Sequence, residues 1–87
     1  MNILKKADDI VNHRSEEKER QYGDFTESMK KAALIASELC DKQITTEDFF
    51  KCMVALKMSR MAFNLKEDTL LDAVAYLGGL NNYKNGK

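Results

Sequence analysis

An 87-residue chain makes one small domain, because single hydrophobic cores are seldom divided below ~100 residues, and this excludes a catalytic domain with a separate regulatory one. Hydrophobic residues at 44% and charged residues at 32% exclude a disordered chain and a membrane protein, while no proline and only four glycines leave too few turn signals for an all-β fold. Fourteen basic residues balance fourteen acidic ones, so the overall field gives no reason to expect attraction to nucleic acid or to an anionic membrane.

Ile3, Leu4, Ala7, Ile10 and Val11 recur at helical spacing with Lys5, Asp8, Asp9 and Asn12 opposite, which predicts a short amphipathic helix within the first fourteen residues. From Arg14 to Asp24 the chain carries no aliphatic residue and closes on a Tyr22-Gly23-Asp24 turn signal, so it reads as a charged connection. Phe25, Met29, Ala32, Ala33, Ile35, Ala36, Leu39 and Cys40 predict a second helix to about Lys42, with Asp24 or Thr26 as its cap. Thr45 and Asp48 form a capping box with aspartate in place of glutamate. They open a third helix that runs to about Asn64 and is apolar on nearly every face. Such a helix is expected at the centre of the core, surrounded by neighbours. Leu70, Leu71, Ala73, Val74, Tyr76 and Leu77 predict a last helix ending near Leu80 at the Gly78-Gly79 pair. The expected architecture is all-α, a bundle of about four helices in one domain over residues 1–80, with 81–87 as a flexible tail. A bundle this small and this apolar is expected to dimerise through a helical face.

Cys40 and Cys52 have no CxxC partner and His13 is remote from both, so neither a zinc cluster nor a disulfide framework is expected. In apolar helical stretches both cysteines read as reduced core thiols, which favours a cytoplasmic location. The start of the chain has no signal-peptide core, and no apolar run approaches the ~18 residues that span a bilayer.

The charges out of place are Lys57 and Arg60, three apart on the most apolar helix, where each must keep water or gain a partner. Asp68, Asp72 and Tyr76 recur every four residues on the next helix and form one row that can meet them. One reading is a structural ion-pair network with snorkelling stems. The other is a site in which Lys57 and Arg60 bind phosphate oxygens while Asp68 and Asp72 orient them or hold a Mg²⁺. Arg20 and Tyr22, before the second helix, are placed to contact a phosphate and stack on a base, or to cover the end of the bundle. Glu16, Glu19, Glu38 and Asp41 mimic the paired acidic motifs with which all-α NTP pyrophosphohydrolases hold Mg²⁺. Chance explains them better in a chain with fourteen acidic residues. A single histidine supports no nucleophilic triad, there is no Walker or Rossmann glycine loop, and Lys30 with Lys31 makes only a weak basic face for DNA.

The strings RQYGD, ITTEDFF, LKMSRM and DTLLDAVAYL, in this order over residues 5 to 80, resemble a family of small helical proteins encoded by bacteriophages and prophages. The chain is also similar, more distantly, to the nucleotide-modification-associated domains of phages. Its last helix resembles that of MazG-like pyrophosphohydrolases, except that Thr69 stands where their pattern has glutamate. The resemblance implies a phage-type protein of the host cytoplasm near nucleotide metabolism, with Tyr22, Gly23, Asp24, Asp48, Lys57, Arg60, Asp68, Asp72 and Tyr76 as its marked residues. The expected function is binding of a nucleotide or another phosphorylated small molecule through Arg20, Tyr22, Lys57, Arg60 and Tyr76. If there is turnover, it is hydrolysis or modification of a nucleotide. The alternative is a non-enzymatic module that binds and inhibits a host or defence protein.

Overall fold

The structure, a computed structural model, describes residues 2–14, 18 and 24–86. Among them are four helices and no strand: α1 (Ile3–Asn12), α2 (Phe25–Cys40), α3 (Thr46–Phe63) and α4 (Glu67–Lys84). The expected all-α bundle is what the chain forms. No helix among the described residues is long and apolar enough to cross a membrane.

Three of the four helix starts are fixed by a side chain that takes up orphan backbone N–H groups, whereas α4 begins after Lys66 with no side-chain cap. Asn2 Oδ1 accepts from the Leu4 and Lys5 amides at 3.1 and 3.2 Å, and Asp24 accepts from Glu27 N at 3.3 Å. Thr45 and Asp48 make the reciprocal capping box at 3.0 and 3.3 Å. Helix α2 ends on Asp41 in the left-handed region (φ 53°), and Lys42 N–H returns to Ser37 carbonyl oxygen at 3.2 Å, which is a Schellman closure with aspartate in the usual glycine position. The Ser37 hydroxyl accepts from Ile44 N at 2.8 Å and lies 2.8 Å from the Ala33 carbonyl oxygen, tying the loop onto the helix it leaves.

The central helix is α4, not α3. It packs most extensively on α3 and α1 and also meets α2, whereas α3 meets only α4 and α2. Helix α3 has one buried residue, Phe50, and leaves Leu56, Met58 and Phe63 exposed. Its all-round apolar character therefore does not mark a surrounded helix within this chain. Cys40 and Cys52 are likewise exposed rather than core thiols.

Helix α4 continues through the glycine pair to Lys84, four residues beyond its expected end. Gly79 is buried and lies against Phe25 and Phe50 so closely that a Cβ there would be 2.7 and 2.9 Å from their rings. Its missing side chain makes room for aromatic packing and does not turn the chain. Residues 81–84 are consequently not a tail. Tyr83 packs on Phe50 with ring centroids 6.2 Å apart, Asn82 donates to Asn12 Oδ1 at 2.8 Å, and Lys84 pairs with Glu47 at 3.3 Å. The core is thus an aromatic cluster, Tyr76–Phe25–Phe50–Tyr83, seated on one face of α4 with Met29 beside it.

Candidate functional site

Helices α3 and α4 bring part of the expected charged row together. Lys57 Nζ lies 3.1 Å from Asp72 Oδ2, and the Lys57 side chain is only 13% exposed. Its stem is buried between the helices and its ammonium reaches out to the carboxylate. Arg60 and Asp68 do not join them. Arg60 is exposed in the last turn of α3 and Asp68 is in the first turn of α4, where a cation and a carboxylate are each favoured by the helix dipole. Arg60 lines a separate recess with Ser59, Phe63, Asn64, Lys66 and Thr69. Arg20 and Tyr22 lie outside the described residues.

Tyr76, one turn beyond Asp72, tilts against Phe25 with ring centroids 5.7 Å apart. Burial first and the Asp72 carboxylate second push its phenol above the ordinary value, against an opposing pull from Arg14. The Arg14 guanidinium itself lies 6.0 Å from the Phe25 ring centroid, so Arg14, Asp72 and Tyr76 share one electrostatic neighbourhood. A spectrophotometric titration should show a tyrosine component ionising above the usual pH of ~10, and this component should vanish in Tyr76→Phe. A raised phenol pKa also means that the unfolded chain loses this proton at lower pH than the folded one. Stability should therefore fall as pH rises past ~10, less so in the variant.

Beside this group runs a cleft of about 440 Å³ lined by Asp9, Ile10, His13, Arg14, Lys18 and Asp72. Both lining carboxylates already face a lysine: Asp9 has Lys5 at 3.1 Å and Asp72 has Lys57 at 3.1 Å. Arg14, Lys18 and His13 line the cleft beside them, and His13 Nε2 lies 3.4 Å from Asp8 Oδ2. A larger recess of about 630 Å³ lies between the ends of α2 and α3. Its lining residues Ser37 and Thr45 are engaged in the loop and cap contacts described above, so it reads as the seam of a helix connection.

A metal finds less support. Lys57 already supplies the positive charge at Asp72. Among the described residues, the three metal-ligating side chains that come within reach of one another are Asp8, Asp9 and His13. That exposed group is satisfied internally: Lys5 reaches both aspartates, and the Asn12 amide donates to Asp8 at 2.7 Å. This hydrogen bond, more than the nearby charges, holds the Asp8 carboxyl below its usual range.

Sequence reasoning set Lys57 and Arg60 against the row of Asp68, Asp72 and Tyr76, of which the structure pairs Lys57 with Asp72, and it did not bring His13, Arg14 and Lys18 to that row. The available signal was a His-Arg pair directly after the first helix, hidden because Asp72 is distant in the chain. No curated protein and no solved structure matches this chain. Residues 2–83, nearly the whole chain and the cleft with it, match the family described as a domain of unknown function, DUF6378, and the chain belongs to that family.

Proposed function

We propose that the protein binds a phosphorylated small molecule, a nucleotide in the first instance, in the cleft between the end of α1 and the middle of α4. The observation that carries this reading is the lining itself, which gathers His13, Arg14 and Lys18 around Asp72 with Lys57 paired behind it. Guanidinium and ammonium groups supply the charge-assisted hydrogen bonds that phosphate oxygens take. The cleft is within the ~300–1,000 Å³ range of small-ligand sites. The likeness to phage nucleotide-modification-associated domains points the same way, since Lys57, Asp72 and Tyr76 are among the residues that carry it. Helix α1 supplies the rim with Asp9 and Ile10.

Calorimetric titration with nucleoside mono-, di- and triphosphates and cyclic dinucleotides, each with and without Mg²⁺, tests the proposal. Binding should weaken ~10–100-fold in Arg14→Ala, the loss of one charge-assisted contact worth ~1.5–3 kcal/mol, with helicity unchanged. A flat panel, or equal affinity in Arg14→Ala, rejects the cleft. Tighter binding with Mg²⁺ that disappears in Asp68→Asn would restore the aspartate row as a cation site.

A second reading, a module that binds another protein, rests on α2, where Leu34, Ile35 and Leu39 stand in solvent. Scattered exposed leucines need no explanation, but three within six residues of one helix make a patch. Leu39→Asp should abolish association with the partner and spare the cleft, whereas a partner that binds this variant equally well rejects the reading.

A further inference from the structure

We infer that the outer face of α3 is the interface of a homodimer, two copies of α3 packing antiparallel about a two-fold axis. Three residue pairs on that face repeat at a spacing of seven: Cys52 with Ser59, Ala55 with Ala62, and Leu56 with Phe63. All six are exposed, with Phe63 95% and Leu56 43% accessible, and none is charged in a chain where charged residues make up 32%. A seven-residue repeat produces a straight seam along one side of a helix, the pattern with which helices pack lengthwise on one another. Solvent alone gives no reason for such a seam.

The occupant is identified by size. Antiparallel pairing centred between Lys57 and Met58 sets Cys52 opposite Phe63 of the second copy and Leu56 opposite Ser59 of the second copy. Each large side chain then meets a small one, which is how facing layers fill space without voids. A closed two-fold interface requires this self-complementarity, because the same patch must serve both sides. Parallel pairing would instead oppose Phe63 to Phe63 and leave a gap at Cys52.

The interface shares no residue with the cleft, so either proposal stands if the other fails. Sedimentation velocity at tens of micromolar should give a species of twice the chain mass. Phe63→Asp should convert it to monomer, with the circular dichroism spectrum and the ligand titration of the cleft unchanged. Should that variant fail to fold, Ala62→Glu on the same seam makes the same prediction. The register is read by crosslinking in a Cys40→Ser background. Phe63→Cys should form a disulfide with Cys52 of the second copy under mild oxidation, and the chain with Cys52 alone should not crosslink. A monomeric wild type, or a dimer that survives both Phe63→Asp and Ala62→Glu, overturns the interface. Crosslinking through Cys52 alone overturns the antiparallel arrangement.

Discussion

Phe50→Ala is expected to remove about 3–5 kcal/mol of stability, the usual loss for a phenylalanine truncated in a packed core. Phe50 is the one large side chain among the described residues that is wholly buried, and its ring joins three helices. It packs on Phe25 of α2 and Tyr83 of α4, each at 6.2 Å between centroids, and borders Gly79. Rigid rings line the cavity left behind on two sides and resist its closing. For a domain of 87 residues, whose total stability is of order 5–15 kcal/mol, this loss approaches the whole. Urea denaturation followed by circular dichroism would show the midpoint collapse. A loss below ~1 kcal/mol would place the core elsewhere.

The second large effect is a contrast between adjacent glycines on one helix. Gly79→Ala adds a Cβ 2.7 Å from the Phe25 ring and 2.9 Å from the Phe50 ring, closer than real Cβ atoms approach carbon. Neither ring can withdraw without disturbing the other, so overpacking should cost about 1–3 kcal/mol. Gly78→Ala adds the same methyl group to open space in a helix interior, where alanine is favoured over glycine by up to ~1 kcal/mol. The two variants should therefore move the thermal midpoint in opposite directions. Stabilisation by both would mean that the aromatic cluster sits away from Gly79.

The glycine pair also shows where the sequence stops being informative. Two adjacent glycines after an apolar helix are a local signal for a helix end, and only the position of Phe25 and Phe50, brought in from elsewhere in the chain, turns one of them into a contact. The caps at Asp24 and at Thr45 with Asp48 were legible because capping is settled within four residues. The four-residue recurrence of Asp68, Asp72 and Tyr76 was legible for the same reason, and so was a partner for it in Lys57. Which of two cations would pair was not, because Arg60 is one turn further along α3 and leaves the interface there. The burial of α3 was misread because a helix apolar on all sides does not say which molecule covers each side. His13, Arg14 and Lys18 belong to the cleft only through the docking of α1 on α4, which no local pattern records.

The hydrogen bond from Asn82 to Asn12 closes a span of 70 positions, and α4, through which α1 and α3 are held, comes last in the chain order. On a ribosome adding ~5–20 residues each second, α1 to α3 emerge before the helix that organises them exists. They wait seconds with Phe25 and Phe50 uncovered, and the bundle cannot close until residue 84 has cleared the exit tunnel. The bundle therefore closes only once its last helix has been made. Chains stalled within α4 present to chaperones and proteases the aromatic surface that the finished protein hides.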